Sequence, residues 1–245
     1  MKILNGTIIQ QIIENQEISF FVTDDSDLIQ RSHAAGKFYE PEELSIIKRY
    51  FSGGCFLDVG SNIGNHAIYV AKYLDPSRVI CIEPNPSAIE ILLINLKLNA
   101  LINVTDQRYL GIGLAATAGR AALHQVQTNN MGAMRLKAGE GDVRLAVGDD
   151  LLQTENPYFL KIDVEGMEIN VLQGLQRLID RCKPKIFMEV DNVNRESFDQ
   201  WREQHRYLIV ERYRRYLKTR IFFYYPNIAS NVGDLEQLQP VALPA

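Results

Sequence analysis

Four carboxylates and two glycines set the chemistry open to this chain. The stretch Phe56-Leu57-Asp58-Val59-Gly60-Ser61-Asn62-Ile63-Gly64 is an apolar run, broken by one acid, that leads into a glycine turn. Glycine lets a ligand approach the backbone closely, because no Cβ stands in the way. The turn also aims the free N–H groups of a following helix at whatever lies there. Asp58 stands where a carboxylate can order the loop or meet a cation. Glu83 closes the next apolar run, 19 residues past Gly64 (83 − 64), where an acid can accept both ribose hydroxyls of a nucleoside. Asp163 ends a later run, Phe159-Leu160-Lys161-Ile162, and Glu165 follows on the turn. A carboxylate at either place can bind an amino group, orient an acceptor hydroxyl or take its proton.

The spacing Gly60-x-x-x-Gly64 is not the G-x-G-x-x-G of a dinucleotide site. It points to S-adenosylmethionine, whose sulfonium end is cationic and which has no pyrophosphate to cradle. Two other readings stay open: a strand–turn–helix without a ligand, and a nicotinamide site, which shares the acid at position 83.

Other polar residues have structural readings beside functional ones. Glu168 suits a first helical turn, where an acid complements the dipole. Lys161 can run its stem along the sheet and pair with a neighbouring acid. Glu189, Asp191 and Asn192, with Asp163, would suit either a hydrated loop or an oxygen cage for Mg²⁺; Mg²⁺ is not expected and no metal ligands are assigned. His33, His66, His124 and His205 show no metal spacing, and His66 is the one nearest the glycine turn. Residues 201–220 hold Arg202, Arg206, Arg212, Arg214, Arg215, Lys218 and Arg220 with Tyr207, Tyr213 and Tyr216 interleaved. That pattern fits the solvent face of a hairpin, an anionic acceptor or RNA.

These residues need strands to place them. The pattern predicts a hairpin over residues 7–22, a polar loop over 24–36 and a helix from Pro41 to Tyr50, with proline at its first position. Strands are predicted at 55–59, 78–83, 104–110, 159–163 and 185–190, with helices at 63–74, 86–99 and from 168 to 179 between them. Repeated strand–helix units imply parallel pairing and right-handed crossovers, with the ligand at the carboxyl ends of the strands. Residues 111–148, with seven glycines, read as a β-hairpin insertion with its tip at 128–132. Residues 207–212 and 220–225 read as a closing hairpin. The expected organisation is an N-terminal hairpin and helix, 1–50, packed on a core of 51–245.

The 245 residues suffice for one large domain; hydrophobic residues make up 46% and charged residues 23%, the balance of a globular protein. A net charge of −4, from 26 basic and 30 acidic residues, argues against a polyanion partner for the chain as a whole. Cys55, Cys81 and Cys182 have no paired spacing, which with the lack of a long apolar leader implies reduced thiols and a cytoplasmic location. No window is long and apolar enough for a membrane span.

Taken together, Phe38-Tyr39-Glu40-Pro41, the Phe56–Gly64 motif, Ile82-Glu83-Pro84-Asn85, Leu160-Lys161-Ile162-Asp163-Val164-Glu165-Gly166-x-Glu168 and the strand ending in Glu189 resemble the FkbM family of S-adenosylmethionine-dependent methyltransferases. The resemblance spans about residues 38–190. It implies an α/β class I methyltransferase (Rossmann-like) fold: a seven-stranded, mostly parallel sheet with an antiparallel C-terminal hairpin, helices on both faces and an added N-terminal β-hairpin. It also implies methylation of an oxygen, often a hydroxyl on a sugar or natural-product scaffold. Asp58, Gly60, Asn62, Gly64, Glu83, Asn85 and Asp163 carry over as cofactor contacts, and Asp163 and Glu165 as site acids. Tyr39, Glu40 and Asn130 are expected at the acceptor. Where the family commonly has Leu-Asp before the fourth strand, this chain has Val147-Gly148-Asp149-Asp150, which leaves the role of Asp149 open. The expected partner is a small-molecule or glycan acceptor, not nucleic acid or membrane, and a homodimer is allowed. The competing functions are a nicotinamide oxidoreductase, an RNA methyltransferase using the 202–220 patch, and a non-catalytic binding protein on the same scaffold.

Overall fold

The computed structural model describes residues 4–125, 134–213 and 219–226. The expected insertion tip with Asn130, and the basic residues Arg214, Arg215 and Lys218, lie outside them. Strand alternation sorts the apolar side chains onto two faces of a central sheet. Its parallel strands are β3 (Cys55–Val59), β4 (Arg78–Ile82), β5 (Thr105–Asp106), β10 (Phe159–Ile162) and β11 (Lys185–Asp191). β12 (Tyr207–Tyr213) and β13 (Thr219–Pro226) close one side antiparallel, in the order β12-β13-β11-β10-β3-β4-β5. Leu57, Ile80, Leu160 and Ile186 face α6 (Glu168–Gly174), α7 (Gln176–Cys182) and α8 (Arg195–Gln204). Phe56, Val79, Phe159 and Phe187 face α2 (Pro41–Tyr50), α3 (Asn65–Tyr73) and α4 (Pro86–Leu98). Among the described residues no helix is long and apolar enough to cross a membrane.

The hairpin β1 (Thr7–Ile13) and β2 (Gln16–Val22) forms as expected, around Glu14-Asn15. It docks through β2 on α4, where Asn95 and Asn99, one turn apart, accept the N–H groups of Phe21 (2.7 Å) and Ser19 (3.0 Å). The segment 24–36 is not all loop. Asp27 accepts from Ile29 and Gln30 N–H and starts α1 (Leu28–Ala34), a cap signal that the polar composition masked.

The strand expected at 104–110 shrinks to Thr105–Asp106, because Arg108 folds back onto the Asp106 carboxylate at 2.6–3.1 Å. The helix expected over 168–179 breaks at Leu175. Asp149, in the short helix α5 (Gly148–Leu151), accounts for the restart: its two oxygens accept from the N–H groups of Arg177 and Leu178, both at 2.8 Å. The expected hairpin insertion is β7 (Gly119–Gln125) with β8 (Met134–Ala138). It belongs to a four-stranded sheet with β6 (Ile112–Ala115) and β9 (Val143–Val147), in the order β6-β9-β7-β8.

Candidate functional site

The carboxyl ends of β3, β4 and β10 are tied together by the glycine turn. Gly60 and Ser61 donate to Ile82 O at 2.9 and 3.0 Å, and Asp163 N–H donates to Val59 O at 3.0 Å. Gly60 has φ +84°, and a Cβ there would sit 1.9 Å from Asp163 O. The neighbouring strand end by itself therefore demands glycine at this position. At Gly64 (φ +92°), which starts α3, a Cβ would meet Leu92 at 2.6 Å.

Register puts Lys161 beside Asp58 on adjacent strands. Lys161 is 2% exposed and Asp58 0%, and the ammonium lies 3.1 Å from Asp58 Oδ1 and 3.7 Å from Asp163 Oδ2. It also donates to Gly60 O at 2.9 Å. Burial pushes Lys161 toward neutrality, but Asp58 and Asp163 outweigh it and hold the amine well above its ordinary value. Burial raises Asp58, and Lys161 opposes the rise. Asp58 is wholly enclosed, with the Lys161 ammonium beside it at the base of the turn.

Glu83 braces the turn from β4. Its oxygens accept from Asn62 N–H and Asn85 N–H, each at 2.8 Å. Burial pushes its carboxyl up to about 7, against the pull of those two amides. Each oxygen keeps a second lone pair, so the group can still receive hydroxyls. The Asn85 side chain accepts from Ser87 N–H and caps α4 beside Glu83. Asn62 (φ +48°) presents a buried Oδ1 with no hydrogen-bond partner among the described residues. Beside Glu83, Gly111 N–H donates to Glu83 O at 2.8 Å, and a Cβ on Gly111 would meet nothing within 4 Å. An orphaned acceptor, an ionisable acid and open space together fit the ammonium and ribose ends of S-adenosylmethionine.

The other side of the crevice holds Glu40 and Glu165. Glu40 is buried in a left-handed turn (φ +58°) at the start of α2, with His66 Nε2 3.8 Å from its Oε2. Burial, then Asp163, Glu43 and Glu189, raise it well above the usual carboxylate range. Asn65 sets that turn. It accepts from Tyr39 N–H and donates to Tyr39 O, both at 2.9 Å, and its Oδ1 lies 3.1 Å from His33 Nε2. His33 is buried and stacked on Phe20 at 4.0 Å, and burial lowers it to about 4. Tyr39 is thus held by its backbone, with its side chain half-buried.

Glu165 (φ +47°) is pushed up to about 7 by burial and then by Asp163, while Arg135 opposes the rise. Arg135 reaches from β8 to Asp191 Oδ2 at 2.8 Å, so the insertion is fastened to the end of β11. Asp191 also accepts from Val193 N–H at 3.2 Å. Glu168 stands in the first turn of α6, as expected, and accepts from Gly166 N–H at 2.6 Å and from the amide of Asn194, 26 residues on. Among the described residues no group of three or more His, Cys, Asp or Glu is placed to hold a metal ion. In the basic patch, Arg202 pairs with Asp199 (3.1 Å) and Glu203 (3.2 Å).

Asn65, Arg135 and His33 were not singled out as site residues from the sequence. Asn65 had a signal, an amide directly after the last glycine of the turn. Arg135 had none, because its partner Asp191 lies 56 residues away.

The arrangement has known counterparts. A crystal structure of the methyltransferase FkbM from Methylobacillus flagellatus KT is 18% identical, with a TM-score of 0.55 over 83% of this chain and 56% of that one. An uncharacterized protein from Listeria monocytogenes serotype 4b is 13% identical, with a TM-score of 0.51 over 84% and 72%. These likenesses show a shared α/β fold with a mostly parallel central sheet. The hexuronic acid methyltransferase AglP of Haloferax volcanii is 33% identical over 128 residues, 48% of each chain, so the match spans about half the length of that relative. The model of the Methyltransferase FkbM domain matches residues 58–216, well over half of the sequence, and the chain belongs to that family.

Proposed function

We propose that this chain is an S-adenosylmethionine-dependent O-methyltransferase acting on a hydroxyl of a small molecule or glycan. The observation that carries the reading is the convergence of the Gly60–Gly64 turn, Glu83 and Asp163 at one crevice, knitted by Lys161. Glu83 and the orphaned Asn62 Oδ1 would hold the cofactor's ribose and amine, and Asp163 its reacting end. When bound, S-adenosylmethionine supplies an electrophilic methyl group. The chain's own work is to place an acceptor oxygen in line and to exclude water, and positioning alone contributes several kcal/mol of acceleration, about 7–11 at best. Asp163 would orient the acceptor hydroxyl. Glu165, raised to about 7, is suited to receive its proton near neutral pH. Tyr39, Glu40 and the Arg135 arm would wall the acceptor, with Asn130 expected on the same side. The name of the curated relative, a hexuronic acid methyltransferase, supports a sugar-type acceptor.

The test is incubation with methyl-labelled S-adenosylmethionine and fractionated cell extract. Label in a sugar or small-molecule fraction, lost in Asp163→Asn, is the expected result. Label confined to RNA, or thermal stabilisation by NAD and none by S-adenosylhomocysteine, would overturn the reading.

A further inference from the structure

The β1–β2 hairpin has two edges, and only one is closed. Glu14 and Asn15 have φ +46° and +65°, which makes a two-residue turn with Ile13 and Gln16 as the closing hydrogen-bonded pair. Alternation then turns the N–H and C=O groups of Ile9, Gln11 and Ile13 toward β2, and those of Ile8, Gln10 and Ile12 away from it. The same alternation turns Ser19 and Phe21 of β2 outward. There Asn99 accepts from Ser19 N–H (3.0 Å) and donates to Ser19 O (2.7 Å), and Asn95 accepts from Phe21 N–H (2.7 Å). Two asparagines, Asn95 in α4 and Asn99 at its C-terminal cap, thus seal that edge. The β1 edge has no such cover: among the described residues β1 pairs with β2 alone. Residues 7–13 also hold no lysine, proline or other charge, the usual protections of an open edge. Ile8 and Ile12 stand 51% and 77% exposed along it.

We propose that β1 pairs antiparallel with β1 of a second copy of this chain, about a two-fold axis through Gln10. The strand's own sequence favours this occupant over an unrelated one. The outward groups sit at positions 8, 10 and 12, which are symmetric about 10. The axis sets Ile8 opposite Ile12 of the second copy, Gln10 opposite Gln10, and Ile12 opposite Ile8. All three are hydrogen-bonded pairs, for about six backbone bonds, and cross-strand isoleucine contacts flank a glutamine pair on one face. No charge opposes a like charge. A two-fold contact uses the same patch on both copies and closes on itself. Because Asn95 and Asn99 seal the far edge of each hairpin, the joined sheet stops at four strands. The expected assembly is a dimer rather than a filament.

Sedimentation of the full chain tests this, with far-UV circular dichroism confirming the fold of each variant. The wild type is expected to sediment as a dimer. Ile8→Lys/Ile12→Lys, which sets lysines opposite each other at exposed positions, is expected to abolish the dimer. Gln10→Cys is expected to form an intermolecular disulfide on mild oxidation, because facing Cα atoms of a hydrogen-bonded pair lie about 5.5 Å apart, within disulfide range. Thr7→Cys, whose counterpart would be Ile13, is not. A monomeric wild type, a dimer that survives the double lysine substitution, equal cross-linking of both cysteine variants, or growth beyond the dimer would each overturn the proposal.

Discussion

Replacing Lys161 by methionine tests whether a buried ammonium holds the crevice together. Lys161 lies 3.1 Å from Asp58, which is fully enclosed, and the two occupy matched positions on β10 and β3. Without its cation the Asp58 carboxyl has two choices. It can stay charged, and breaking a buried pair from one side costs about 3–5 kcal/mol. Or it can take up a proton. Raising a carboxyl from an unfolded value of about 3.9 to pH 7 costs about 4 kcal/mol, at 1.36 kcal/mol per unit. The two routes agree, so chemical unfolding at pH 7 should show a loss of roughly 3–5 kcal/mol. The melting temperature should fall by roughly 6–20 °C, at 2–4 °C per kcal/mol for a chain of this size. The pH dependence separates this cause from lost packing. With Lys161 gone, the folded-state value of Asp58, already raised by burial, rises further. Between the unfolded value and that raised one, the folded chain binds more protons than the unfolded chain, so stability falls as pH rises. The gap between wild type and Lys161→Met should therefore narrow as pH is lowered from 7 toward 4. Asp58→Asn/Lys161→Met should lose at least about 2 kcal/mol less than the sum of the single variants. A loss below about 1 kcal/mol, a gap indifferent to pH, or additive variants would refute the reasoning.

Three further outcomes are expected. Asp163→Asn should change S-adenosylhomocysteine affinity only a few-fold by calorimetry while cutting methyl transfer by roughly 10²–10⁴; unchanged turnover would remove Asp163 from the mechanism. Glu83→Gln should weaken S-adenosylhomocysteine binding at pH 8 by roughly ten- to a hundredfold, the worth of hydrogen bonds to a charged acceptor. Because burial raises Glu83 to about 7, wild-type affinity should fall as pH drops through 7, and the variant's profile should be flat there. Asn65→Ala removes two hydrogen bonds to Tyr39 and one to His33, so it should cost roughly 2–3 kcal/mol in urea unfolding and raise KM for the acceptor more than for the cofactor.

The strands of the core were legible because their signal is local. Runs such as Phe56-Leu57 and Ile80-Cys81-Ile82 are buried on both faces of a parallel sheet, and a continuous apolar run is the mark of such a strand. The closing hairpin was legible for a similar reason, in the two apolar stretches at 207–210 and 221–225. What failed depended on single polar side chains, some acting locally and some far along the chain. α1 needed Asp27 read as a cap rather than as loop polarity. The break at Leu175 needed Asp149, 28 residues before Arg177, to supply a new helix start. Asp58, at a strand end, was read as ordering the loop or meeting a cation. Only the register with Lys161, set by the pairing of β3 and β10, reveals it as half of an enclosed pair.

The electrostatics of the crevice favour a cationic guest over an anionic one. Glu40, Glu83 and Glu165 are all raised, with burial the leading cause in each. Asp163 adds to the rise in Glu40 and Glu165. Against these acids stand Lys161, already bound to Asp58 and Gly60 O, and Arg135, already bound to Asp191. A group whose charged form is disfavoured in the folded state lowers stability at high pH, and a bound cation relieves that cost by favouring the ionised acids. Under the proposed function the sulfonium and ammonium of S-adenosylmethionine are such cations. S-adenosylhomocysteine keeps the ammonium and lacks the sulfonium charge. The thermal shift given by S-adenosylmethionine should therefore exceed that of S-adenosylhomocysteine at pH 8, and the difference should shrink toward pH 6 as the acids take up protons. Equal shifts at both pH values would mean that the crevice acids serve the acceptor side and not the cofactor.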